Sequence, residues 1–231
     1  MDEMPKPSAG DVAHTIIKAG ISAIPIIGGP TAEFIAVVFT PPIVRRRDEW
    51  FQSLAERLKL LEDRVAGFKI DDLSSNEQFV TAAMYATTSA VRNHQPEKLE
   101  ALRNAVLNVA LRNEPDEDLQ LIFLNYIDSL TPWHLRILAY FRNPTEWFKK
   151  NNAKKPDLDF GGLPDGLYAA YPELRTHGAL VEQLIEDLKN RGLLNITSLK
   201  ATMTGHGIFE TRTSGLGSRF LEFITSPIDK E

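Results

Sequence analysis

The chain contains no cysteine, which removes disulfides, thiol catalysis and every cysteine-based metal site. It has no apolar run of the roughly 20 residues needed to span a bilayer. Its most apolar stretch, from Ala19 to Val44, carries Glu33 as its sole charge but is interrupted by Pro25, Gly28, Gly29, Pro30, Pro41 and Pro42. Phosphate loops are missing as well, because Gly205-x-Gly207 and Gly215-x-Gly217 lack a third glycine and the Lys-Ser/Thr that would follow. The histidines at 14, 94, 134, 177 and 206 include no i, i+4 pair, so no zinc or di-iron site can be argued. No Gly-x-Ser-x-Gly elbow is present either. Met1 to Gly10 lacks a basic segment leading into an apolar run, so no cleaved signal peptide is expected. Together these gaps predict no cofactor, no metal, no small-molecule substrate and no enzymatic activity.

What is present is the composition of a folded protein: 231 residues, 43% hydrophobic and 25% charged. The net charge of −5 repels a phosphate backbone, so any nucleic-acid surface has to be a local patch. The polar residues 1–10 read as a flexible start. Beyond them, proline inside a helix removes a hydrogen bond and crowds the preceding turn, so the apolar stretch reads as two short helices, about 11–24 and 31–40, joined at Pro25 to Pro30. After Pro41-Pro42 comes Arg45-Arg46-Arg47, then a stripe of Trp50, Leu54, Leu58, Leu61 and Val65 that ends near Gly67. Ser74 and Ser75 precede Glu77 and Gln78 in capping-box spacing and open a helix with Phe79, Ala82, Ala83, Ala86 and Ala90 inward. Pro96 and Pro115 suit first helical positions, the second helix burying Leu119, Ile122, Phe123, Tyr126, Ile127 and Leu130. Residues 11–130 therefore read as a helical bundle with an apolar, Gly/Pro-broken N-terminal hairpin.

From Thr131 the pattern changes to that of a winged helix-turn-helix domain over 131–226. Thr131-Pro132 opens a helix carrying Leu135, Ile137, Leu138, Tyr140 and Phe141, which stops by Asn143-Pro144. The lysines at 149, 150, 154 and 155 have no periodicity, so the stretch to about Gly162 reads as an exposed insertion. Leu180, Val181, Leu184, Ile185 and Leu188 mark a strong helix with Gly192 as its stop. Leu199 to Thr213 suggests a small β-hairpin wing around Gly205-His206-Gly207, and Thr213 or Ser214 caps a last helix. The fold class expected is thus mainly α, an N-terminal helical bundle followed by a winged helix-turn-helix.

Such a module reads DNA or docks a protein. After a second short helix, its third, the one that stops at Gly192, exposes Glu182, Gln183, Glu186, Lys189 and Asn190, and carboxylates on that face oppose a polyanion. The candidate nucleic-acid contacts are Lys189, Lys200, Arg212 and Arg219. The candidate membrane or partner contacts are Ile26, Ile27, Phe34, Val37, Arg45, Arg46 and Arg47, since two apolar helices followed by arginines have the form of an insertion hairpin with a basic flank. Burial of both helices against the bundle is the favoured reading, with the membrane or partner surface as its competitor.

Four stretches carry a resemblance: Gly28-Gly29-Pro30 with Arg45-Arg46-Arg47, Leu130-Thr131-Pro132 through Ile137-Leu138, Leu188 through Leu194, and Thr213 through Phe220. Their order resembles a family of small bacterial proteins linked to abortive phage infection, often called Abi-alpha, with the four-lysine stretch as a departure. The resemblance covers most of the chain and brings no catalytic residues with it. It implies a cytoplasmic bacterial defence component, with action at a membrane as an extension. The leading functional reading is a non-enzymatic interaction protein, a sensor or effector accessory in phage defence, meeting a protein partner or a second copy of itself. The alternative is a winged-helix DNA-binding regulator; nucleic acid and a membrane surface are accordingly the other candidate partners.

Overall fold

A computed structural model describes residues 30–112 and 115–228, with residues 30–41 described through their backbone alone. The expectations for residues 1–29, including the flexible start, the helix over 11–24, and Ile26 and Ile27, lie outside the described residues. The chain divides after Asp128 into two units; the first takes the chain up again at Phe223, and the second is Ser129–Glu222. The architecture is mainly helical, with one two-stranded ladder among the described residues.

In the first unit, helix α1 runs Pro30–Arg64, straight through Pro41 and Pro42, and corrects the expected break at residue 40. Two prolines remove two amide donors, but the φ of a proline ring is itself helical, so the pair interrupts the hydrogen-bond ladder without ending the helix. Downstream, Trp50, Leu54, Leu58 and Leu61 are buried as their spacing predicts, and Gly67, at φ 82°, stands just beyond the helix end. A 3₁₀ turn, Ile70–Ser75, leads into α2, Glu77–Arg92. Its cap is Asn76, whose side chain accepts the Phe79 amide at 3.1 Å, and not Ser74 or Ser75, whose hydroxyls donate to the Asp71 and Asp72 carbonyls inside the turn. Phe79, Ala82, Ala83, Ala86 and Ala90 are all buried, and this run of small residues lets α3, Pro96–Ala110, pack closely.

Helix α4, Glu117–Ser129, begins two residues after Pro115, and Asp116 accepts the Leu119 amide at its start. Its inward face is Gln120, Phe123, Leu124 and Ile127, while Ile122 is 44% exposed, against expectation. Leu121 to Leu124 are four apolar residues in succession, so periodicity alone does not choose which of them turn inward. The chain returns to this unit at its far end. Asn104 donates to the Ile224 carbonyl at 3.0 Å, Asn108 donates to the carbonyls of Phe223 and Thr225 at 2.9 Å each, and the Phe223 ring lies 5.6 Å from that of Phe123.

In the second unit, α5, Pro132–Arg142, opens on the expected Thr131, whose amide donates to His134 Nδ1 at 3.0 Å, so a histidine does the work usually given to Glu or Gln in a capping box. Leu135, Ile137, Leu138, Tyr140 and Phe141 are buried. The expected exposed insertion is in its first part a helix, α6, Pro144–Lys150, capped by the Asn143 side chain and anchored by buried Phe148. Two buried positions, Pro144 and Phe148, among polar residues leave too little periodicity to read. Strand β1, Phe160–Gly161, and helix α7, Leu163–Ala170, precede α8, Gly178–Asn190. Helix α8 packs on α5 through Val181, Leu184, Ile185 and Leu188, whereas Leu180 is 44% exposed. It ends in a Schellman-type turn at Gly192, φ 71°, with the Leu193 amide returning to the Leu188 carbonyl.

The hairpin expected to turn at Gly205-His206-Gly207 is replaced by a short helix, α9, Gly205–Ile208, capped by Thr204. Strand β2, Met203–Thr204, pairs antiparallel with β1 instead, and Leu194 forms an isolated bridge with Thr213. Gly205 decides this path: a Cβ there would stand 1.6 Å from the Leu158 carbonyl oxygen, so only glycine lets the two backbones meet. Ser214 caps the last helix, α10, Gly215–Phe223, by accepting the Gly217 amide at 2.8 Å.

Candidate functional sites

The outward face of α8 is built by its own amphipathic pattern, since the four buried apolar residues leave Glu182, Gln183 and Glu186 in solvent. These side chains are already engaged. Glu182 holds the Lys200 ammonium at 2.7 Å, Glu186 holds Lys189 at 2.8 Å, and Gln183 donates to Asp187 at 2.7 Å. The Glu182 hydrogen bond and charge push the Lys200 pKa above its ordinary value. Asp187 also places Oδ2 3.4 Å from His134 Nε2, on α5. Burial lowers the His134 pKa and outweighs the opposing pull of Asp187.

The four cations expected at nucleic acid thus fall into different settings. Lys189 and Lys200 neutralise carboxylates of α8. Arg212 binds inward, donating to the Gly207 carbonyl at 2.6 Å and lying 3.3 Å from Glu210, so that it holds the segment around α9 in place. Arg219 is exposed on α10. Among the residues expected at a membrane or partner, Phe34 and Val37 lie on α1, where only the backbone is described. Among the described residues, no helix is long and apolar enough to cross a membrane, and no cluster of three His, Asp or Glu could hold a metal ion.

Arginines 45 and 46 enter a feature that sequence reasoning missed, a cleft of about 400 Å³ in the first unit formed by α1, the C-terminal end of α2 and the start of α3. Helix α1 contributes Arg45, Arg46, Glu49 and Trp50; Asn93 and His94 come from the α2–α3 turn, and Arg103 from α3. Arg46 is directed at the Val91 carbonyl, 3.5 Å away, near the end of α2. Arg45 reaches Glu49 at 3.7 Å with both side chains largely in solvent. Arg103 is fixed from two sides: its guanidinium lies 5.9 Å from the centre of the Trp50 ring and pairs with Glu100. Trp50 in turn is held by donation to the Thr87 hydroxyl at 3.0 Å. Arg103 Nε is buried with no hydrogen-bond partner, and burial draws its pKa down, opposed by Glu100 and assisted by Arg57. Arg47 does not line this cleft and is bound to Asp48. Residues 45–46 and 93–103 are brought together by packing of α1 against α2 and α3, and no local motif announces that meeting.

The chain was compared with protein-family models, with curated proteins and with solved structures, and none matches.

Proposed function

We propose that the chain is a non-enzymatic interaction protein, a sensor or effector accessory of bacterial phage defence, whose second unit is a winged-helix-like module docking a protein partner through α8. The observation that carries this reading is the acidic, internally paired face of α8, in which Glu182 and Glu186 occupy Lys200 and Lys189. A helix entering a major groove needs donors aimed at phosphates and base edges, and carboxylates in that position repel them. Leu180, exposed beside Glu182, supplies an apolar anchor with a charged rim, the composition of a protein contact. The winged-helix reading is supported by the order α5, β1, α7, α8, with the short α6 inserted after α5, followed by the antiparallel approach of Leu194 to Thr213. The defence role rests on the likeness of layout to the abortive-infection proteins.

The test combines cells and DNA. Bacteria expressing the chain are challenged with a phage panel, and Leu180→Glu is expected to abolish protection while leaving the melting temperature unchanged. In a fluorescence-anisotropy titration the wild type is expected to ignore duplex DNA at low salt, whereas Glu182→Lys with Glu186→Lys gains salt-sensitive, nonspecific binding. A wild type that binds a duplex, with Lys200→Ala and Arg219→Ala each reducing the salt slope by about one counterion, overturns the proposal in favour of a DNA-binding regulator. A wild type that protects against no phage removes the defence role.

A further inference from the structure

The cleft on the first unit has a charge balance that its own side chains do not close. Arg45, Arg46 and Arg103 line it, against Glu49 as the single lining carboxylate. Glu49 sits 3.7 Å from Arg45 in an exposed i, i+4 pair, a geometry that holds a guanidinium weakly. Glu100 stands outside the lining and is shared between Arg103 and Arg57. Arg46 faces a carbonyl and, among the described residues, no carboxylate. Three guanidiniums around one concavity repel one another unless an anion lies between them, and a guanidinium fork matches phosphate oxygens two at a time.

The surroundings favour a defined ligand over loose counterions. Trp50 and Glu100 hold the Arg103 head in position before anything binds, which lowers the ordering penalty of association. Asn93 and His94 at the α2–α3 turn add polar groups that can orient a bound group. The volume, about 400 Å³, lies within the range of small-molecule sites.

We infer that this cleft binds a phosphate-bearing ligand, with Arg46 and Arg103 as the principal phosphate contacts and Arg45 at the rim. Free phosphorylated molecules and phospholipid headgroups share this chemistry, and the experiment separates them. The site is independent of the α8 reading, since every residue in it belongs to the first unit.

Isothermal titration of the full chain with pyrophosphate at low salt is paired with co-sedimentation on phosphatidylglycerol and phosphatidylcholine vesicles. Arg46→Gln, whose melting temperature should match the wild type, is expected to weaken binding about tenfold, the equivalent of one lost charge-assisted contact. Glu49→Gln should strengthen it, and Lys200→Ala, in the other unit, should leave it unchanged. Pyrophosphate binding that follows this order identifies a soluble ligand; binding confined to phosphatidylglycerol vesicles and following the same order identifies a lipid headgroup. Absence of both, or binding indifferent to Arg46→Gln and Glu49→Gln, overturns the inference.

Discussion

Replacing Asn108 with alanine tests the way the end of the chain is held. Its amide nitrogen is buried and donates to the Phe223 and Thr225 carbonyls at 2.9 Å each, and also to the Asn104 carbonyl at 3.0 Å. The Asn104 carbonyl keeps its helical partner when the side chain is removed, since it lies one turn back on α3. The Phe223 carbonyl loses this donor in a buried site, at about 1–2 kcal/mol, whereas the Thr225 carbonyl, on an exposed residue, can turn to water at a cost of about 0–1 kcal/mol. The expected loss is therefore about 1–3 kcal/mol, whereas Asn104→Ala, which removes one bond, to Ile224, should lose about 1 kcal/mol. Trp50 belongs to the first unit and Trp133 and Trp147 to the second, so urea unfolding followed in single-tryptophan backgrounds assigns the loss to a unit. Hydrogen exchange at residues 223–228 should accelerate in parallel. An Asn108→Ala midpoint that moves by less than about 0.5 kcal/mol, the effect of an ordinary surface change, would refute the reasoning.

Two further outcomes follow from burial and charge. His134 is held neutral when folded, its pKa drawn below the ordinary value near 6.5, chiefly by burial. The unfolded chain then takes up a proton first as the solution is acidified, so this contribution to stability is present above about pH 6.5 and is lost as pH falls from there toward the folded pKa. His134→Gln, which keeps an acceptor for the Thr131 amide, should flatten that part of a melting-temperature profile; an unchanged profile would contradict the assignment. On α4, Ile122→Ser should be nearly neutral, while Phe123→Ala, at a fully buried ring, should destabilise by about 3–5 kcal/mol in chemical denaturation, and equal effects would contradict the inward face described above.

Periodicity was a good guide where apolar residues stand apart. The Trp50, Leu54, Leu58, Leu61 stripe and the alanine face of α2 could be read directly, as could the Thr131 start of α5 and the Gly192 stop of α8. It fails where apolar residues crowd, as at Leu121 to Leu124, and where a short helix is buried at two positions alone, as α6 is at Pro144 and Phe148. Caps were misread for a related reason. Ser74, Ser75 and Asn76 are all competent caps, and which one serves depends on where the preceding 3₁₀ turn ends. Pro41-Pro42 shows a different limit, because the loss of hydrogen bonds and the crowding that proline brings do not by themselves end a helix. For the sites, the acidic face of α8 is legible as the side opposite its apolar residues, but its pairing with Lys200 is not. The cleft was invisible in sequence, since residues nearly fifty positions apart meet there only through packing.

The return of the chain at Phe223 gives the polypeptide an unusual order of completion on the ribosome. Domains generally fold as they emerge, N-terminal first. Here Asn104, Asn108 and Phe123 emerge early, yet their partners at 223–225 are translated only after all of Ser129–Glu222. The unit begun first is thus closed last, and a nascent chain stalled anywhere before Phe223 holds an open α3–α4 face however well the inserted unit has folded.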